Sequence, residues 1–190
     1  MPSVRVHAPP IRYNLPMNAA QLSALVRDVA GFPTPGIVFK DITPVLADPT
    51  ALRVAVELIA APFRDAGVTT VAGIEARGFV LAPPVALTLG AGFVPLRKKG
   101  KLPYDTHSEE YQLEYGTDEL EVHVDAAGPG DRVLLVDDVI ATGGTGAAAI
   151  RLLRGLGADL VGMAVLIELA FLDGRQALGD LDFHTVVTYG

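Results

Sequence analysis

The chain has 190 residues, half of them hydrophobic and only 19% charged, a balance that favours one compact domain with a substantial core over disorder. Its formal net charge of -7 gives no electrostatic footprint for nucleic acid or an anionic membrane, so any site for a polyanion must be made positive locally. No cysteine is present, which excludes disulfides, cysteine-held metals and cysteine nucleophiles and fits a cytoplasmic protein.

Residues 1–17 read as a proline-spaced tail, because His7, Pro9, Pro10, Arg12 and Asn14 interrupt any apolar signal core. The tail is expected to be poorly ordered and to contribute little to function, with Met17 as an alternative start. Asn18 and Gln21 predict a capping box for a helix carrying Leu22, Leu25, Val26 and Val29 on one face and closed by Gly31. Phe32-Pro33-Thr34-Pro35-Gly36 is a rigid turn into an edge strand over 37–42. Asp48-Pro49 opens a second helix with Leu52, Val56, Ile59 and Phe63 at helical spacing, ended by Gly67.

Residues 68–74 read as a strand, followed by the loop Glu75-Ala76-Arg77-Gly78 and a helix to about Leu89. Its first turn is placed near Leu81, since Pro83 and Pro84 are tolerable only near a helix start. Residues 93–96 form another strand, ending in the basic run Arg97-Lys98-Lys99-Gly100-Lys101. Residues 102–110 lack periodicity and read as a mobile loop. Residues 111–114 and 120–124 alternate as two antiparallel strands flanking Gly116. After 160–169, a strand interrupted only by Glu168, come a short helix over 173–178 and a last strand over 183–189. No apolar run reaches the length of a membrane span.

The most informative stretch is Val133-Leu134-Leu135-Val136-Asp137-Asp138-Val139-Ile140-Ala141-Thr142-Gly143-Gly144-Thr145. An uninterrupted apolar run fits a strand buried on both faces. Adjacent carboxylates repel and gain nothing structurally, so a ligand is expected to use them. The glycine loop then lets backbone N–H groups approach an anion at the start of a helix carrying Ile150, Leu152, Leu153 and Leu156. Together these features suit a ligand with both a phosphate and hydroxyls. Strands alternating with helices imply an α/β fold with a mostly parallel twisted sheet flanked by helices, ligands lying beyond the carboxyl ends of the strands. Residues 75–78, 97–101 and 137–145 all follow strands and can converge there.

This order of strand, acid pair, Thr-Gly-Gly-Thr and helix resembles the phosphoribosyl-pyrophosphate-binding motif of the type I phosphoribosyltransferases. It lacks the Gly-Lys-Ser/Thr of a P-loop and the Gly-x-Gly-x-x-Gly of a dinucleotide fold. Phe32-Pro33-Thr34-Pro35-Gly36-Ile37-Val38-Phe39, Glu75-Ala76-Arg77-Gly78-Phe79, the basic run with Leu102-Pro103, and Tyr111-Gln112-Leu113-Glu114-Tyr115-Gly116 occur in family order. They sharpen the resemblance toward the adenine-using family over roughly residues 21–189. Lys40 departs from it: many relatives carry Arg there, and Lys keeps the charge without the planar fork.

The resemblance implies a single domain over 18–190, with a small hood and a flexible antiparallel loop insert. It implies transfer of the phosphoribosyl group of 5-phosphoribosyl 1-pyrophosphate to adenine, giving AMP and pyrophosphate, with Mg²⁺ held mainly by substrate oxygens and water. Ala141, Thr142, Gly143, Gly144 and Thr145 would bind the 5′-phosphate, and Asp137 and Asp138 the ribose hydroxyls. Arg77, Arg97, Lys98 and Lys101 would hold the pyrophosphate; Val38, Phe39, Lys40 and Val139 would form the adenine pocket. Glu114 would act as general acid/base. A homodimer is implied, with no nucleic-acid or membrane partner. Another purine or orotate as acceptor, or a non-catalytic sensor of the same donor, are the alternatives; the segments around Phe39 and Glu114 favour adenine, and the acidic balance disfavours a DNA-binding regulator.

Overall fold

The computed structural model describes residues 16–112 and 117–190. Most of the expected tail, and Glu114, Tyr115 and Gly116, lie outside the described residues; Met17 packs against the core.

The capping box forms: Asn18 Oδ1 accepts from Gln21 N–H at 3.0 Å, and Gln21 Oε1 from Asn18 N–H at 2.9 Å. The helix it opens, α1 (Ala19–Ser23), is much shorter than expected. Arg27–Ala30 is instead strand β1, paired antiparallel with β2 (Val38–Asp41). Apolar residues at 25, 26 and 29 suit a helix face, but the hairpin through Pro33–Gly36 supplies a ladder partner that a local reading cannot see. Two α-helices follow, α2 (Thr43–Ala47) and α3 (Pro49–Ala60). Asp48 caps α3 by accepting from the N–H groups of Thr50 and Ala51, each at 2.8 Å.

Strand β3 (Thr70–Ile74) leads into α4 (Gly78–Leu89), then β4 (Gly92–Lys98), β5 (Thr106–Gln112) and β6 (Thr117–His123). Strand β7 (Arg132–Ile140), α5 (Gly144–Gly155), β8 (Asp159–Leu169) and β9 (Phe183–Tyr189) complete the chain. Two expectations are corrected here. Helix α4 begins at Gly78 rather than near Leu81, so Pro83 and Pro84 lie inside it; burial of Leu81, Ala82, Val85 and Ala86 outweighs the missing backbone bonds. Residues 106–110, expected in a loop, form the first part of β5, because the whole strand finds a ladder on β6 and Arg151 of α5 binds Glu109 at 2.5 Å.

The main sheet has seven strands in the order β5-β6-β4-β3-β7-β8-β9. Pairings from β4 through β9 are parallel, and β5 and β6 extend one edge antiparallel. Alternation along β7 sends Leu134 and Val136 into the core beneath α3 and α4, and Val133 and Leu135 into that beneath α5. All four are fully buried, and truncating either leucine to Ala would cost ~2–5 kcal/mol. The resulting α/β architecture brings the carboxyl ends of β3, β4 and β7 side by side.

Candidate functional site

The register pairs Gly73 of β3 with Val136 of β7, and Ile74 with Leu96 of β4. The segments following these strands therefore line one cleft of about 290 Å³. Its walls carry Glu75, Ala76 and Arg77 after β3, Lys98 at the end of β4, Tyr111 on β5, and the whole stretch from Asp137 to Gly146.

Strand β7 runs on through both acids to Ile140, so the carboxylates sit within the strand rather than beyond it. Asp138 is 3% exposed, and Arg77 Nε donates to its Oδ2 at 2.5 Å. Asp137 is packed densely yet keeps part of its surface toward the cleft, and its Oδ1 accepts from the Asp138 backbone N–H at 2.9 Å. Burial pushes the Asp137 carboxyl well above the usual carboxylate range, and the neighbouring Asp138 charge pushes the same way. Gly78 lets α4 approach this point: a Cβ there would lie 2.9 Å from Asp137 Oδ1 and 3.0 Å from the Val136 carbonyl oxygen.

The loop after β7 turns at Gly143, whose φ of 82° suits glycine. A Cβ at Gly143 would collide with the carbonyl oxygen of Gly174, so the loop rests on the backbone of the 174–178 turn. No side chain caps α5. An anion at its first N–H groups would gain from the helix dipole as well.

The basic run divides sharply. Glu75 gathers Lys101 Nζ at 2.7 Å, the Lys98 backbone N–H at 3.0 Å and Arg97 Nε at 3.3 Å. Burial alone would raise its pKa, but these donors prevail and hold the carboxyl at about 2. Arg97 and Lys101 thus stand behind the cleft wall, while Arg77 and Lys98 line it. Lys98 Nζ meets Asp118 at 2.8 Å.

The β1–β2 hairpin reaches the site from above. The Arg77 guanidinium lies over the Phe39 ring at 4.9 Å, and Phe32 packs edge-on against Phe39 at 5.2 Å. Val38 is 48% exposed, and Val139 lines the cleft beneath. Lys40 is occupied elsewhere: its ammonium donates to Asp28 at 2.6 Å and sits 4.1 Å above the Tyr189 ring. Among the described residues no cluster of three His, Cys, Asp or Glu side chains could hold a metal, and Asp138 is already engaged by Arg77. This donor set fits a hard cation carried in on the oxygens of a ligand better than one caged by protein.

Sequence reasoning passed over Tyr111 and Glu75 as parts of this wall. Tyr111 follows the strand alternation of β5, legible only once residues 106–110 are assigned to that strand. Glu75 stood next to a singled-out arginine, at a strand end facing four cations, and that was its signal.

An acid pair on a central strand, a glycine loop opening a helix and cations across from both are features that suit a site for a phosphate ester with hydroxyls. The chain belongs to the phosphoribosyl transferase domain family, whose profile matches residues 42–188. It is 61% identical over 168 residues to the adenine phosphoribosyltransferase of a Parafrankia species, covering 88% of this chain and 91% of that one. The solved adenine phosphoribosyltransferase of Rhodothermus marinus shares 55% identity at a TM-score of 0.86, over 90% of this chain and 98% of that one. The Saccharomyces cerevisiae enzyme, solved with an imino-altritol bisphosphate and adenine, shares 37% identity at a TM-score of 0.85, over 88% and 97% of the two chains.

Proposed function

We propose that the protein transfers the 5-phosphoribosyl group of 5-phosphoribosyl 1-pyrophosphate to adenine, releasing AMP and diphosphate. The observation that carries this reading is the single cleft in which Asp137, Asp138 and the uncapped start of α5 face Arg77 and Lys98 beneath Phe39. Close relatives that bear the name adenine phosphoribosyltransferase support it.

In this reading the N–H groups from Ala141 to Thr145 hold the 5′-phosphate, and Asp137 and Asp138 take the ribose hydroxyls. Arg77 and Lys98 face the diphosphate, with Arg97 and Lys101 contributing positive potential from behind through Glu75. Val38 reads the base edge by its backbone, Phe39 and Val139 enclose the ring, and Lys40 steadies the hairpin that carries them. As the glycosidic bond to diphosphate breaks, positive charge grows on the ribose and negative charge on the leaving group. Catalysis is then mainly positioning and charge stabilisation. Mg²⁺, bound chiefly by donor oxygens and water, would neutralise part of the diphosphate charge. Glu114, in the segment joining β5 to β6, is proposed as the acid/base toward the purine ring.

We further propose a homodimer in the cytoplasm. The apolar groove of Leu52, Val56, Pro84 and the 82% exposed Leu87 supports a subunit contact, and no helix among the described residues is long and apolar enough to cross a membrane. The test of the activity is a labelled-base assay with adenine, hypoxanthine and guanine, with and without donor and Mg²⁺. AMP from adenine alone, dependent on the donor, is the expected result; no product from any base would sink the proposal.

A further inference from the structure

The cations that follow β4 are held by two carboxylates in very different settings. The Glu75 side chain is 10% exposed and takes three donors at once, a fixed part of the wall. Asp118 is 22% exposed and pairs with a lysine side chain that is 49% exposed. Ion pairs so open to water are worth only ~0–1 kcal/mol, little enough for a ligand of higher charge to replace one member.

Position makes that replacement specific. Strand pairing sets Tyr111 opposite Asp118. The Tyr111 hydroxyl donates to Asp118 Oδ2 at 3.1 Å, and the Lys98 ammonium reaches the same oxygen at 2.8 Å. Lys98 and Tyr111 both line the cleft, whereas Asp118 does not. One anionic oxygen therefore collects two donors that belong to the cleft wall. The bond to Asp118 lifts the Lys98 ammonium above its ordinary range, and the bond to Lys98 lowers the Asp118 carboxyl below its own.

We infer that Asp118 holds the place of a diphosphate oxygen on Lys98, and that donor binding makes Lys98 exchange the carboxylate for the phosphate. This rests on reading the cleft as a donor site. Asp118 is a positioning residue here: it keeps a cleft lysine ordered when the site is free and competes weakly for it as diphosphate arrives. Tyr111, only 6% exposed, keeps Asp118 Oδ2 as its acceptor, so the carboxylate stays anchored when Lys98 leaves it.

Calorimetric titration of the full chain with magnesium diphosphate tests this. Asp118→Asn should tighten binding by about threefold, the scale of an exposed ion pair. In a Lys98→Ala background the same substitution should have no effect, and Asp118→Glu should keep the original affinity. Asp118→Ser serves if the asparagine variant does not fold, as judged by thermal melting. Weakened or unchanged binding in a folded Asp118→Asn protein would overturn the inference. Absence of diphosphate binding by the unaltered protein would instead remove the donor-site reading, and the inference with it.

Discussion

In the proposed function, the wall assigned to the donor comes from one continuous passage of β7, loop and α5, while the wall assigned to the base is carried by a hairpin from the first quarter of the chain. On the donor side Val133 to Val136 are fully buried, and the loop above them is braced by the 174–178 turn. On the base side Phe32 is 53% and Val38 48% exposed. That hairpin is tied down by pair contacts: Lys40 to Asp28 and Tyr189, and Phe39 to Arg77. A site that must hold a polyanion in fixed geometry uses covalently adjacent groups on a rigid strand. A site that must admit and release a flat base can rely on contacts that open.

Four variants would break or sharpen that contrast. The largest effect is expected from Glu114→Ala, which should lower kcat by roughly 10²- to 10⁴-fold with little change in donor affinity; unchanged turnover would remove Glu114 from the mechanism. Replacing Asp137 and Asp138 together by Asn should weaken donor binding on the order of 100-fold, since two charge-assisted bonds are lost. Tight donor binding in that folded variant would contradict their ribose role. Lys40→Ala should act on the base side only, raising KM for adenine roughly fivefold through the lost Asp28 pair and the cation over Tyr189. An equal rise in KM for the donor would show the two walls to be one unit.

The smallest effect is a pH dependence. Glu75 has its pKa lowered from 4.5 to about 2 in the folded protein. Its stabilising contribution is therefore complete above the unfolded value and lost as pH falls from about 4.5 toward 2. Glu75→Gln should lower the melting temperature at neutral pH and flatten the acid limb of the thermal-stability profile within that window. A parallel acid limb in both proteins would assign the loss to other groups.

How much of this was visible beforehand follows the same division. The donor wall could be read because its signals are local: an apolar strand, two acids and a glycine loop occupy consecutive positions. The same holds for α3, whose Asp48-Pro49 start needs no distant partner. The hairpin could not be read, because Leu25, Val26 and Val29 fit a helix face equally well and only pairing with β2 decides for strand. Residues 106–110 looked irregular because polar residues dominate them; their strand state comes from β6 alongside and from Arg151 beneath. The split of the basic run between Glu75 and Asp118 was hidden for the same reason, since partners across a sheet are set by register.

The contact between Gly143 and Gly174 has a consequence for how sequence variation in this chain is read. Position 174 is buried but does not line the cleft, so a side chain added there would pass for a change remote from the site. Yet a Cβ at Gly174 would overlap the Ala141 carbonyl oxygen just as one at Gly143 would overlap that of Gly174. The two sites, remote in sequence, therefore share one tolerance, and a side chain added at either would push the same loop out of place.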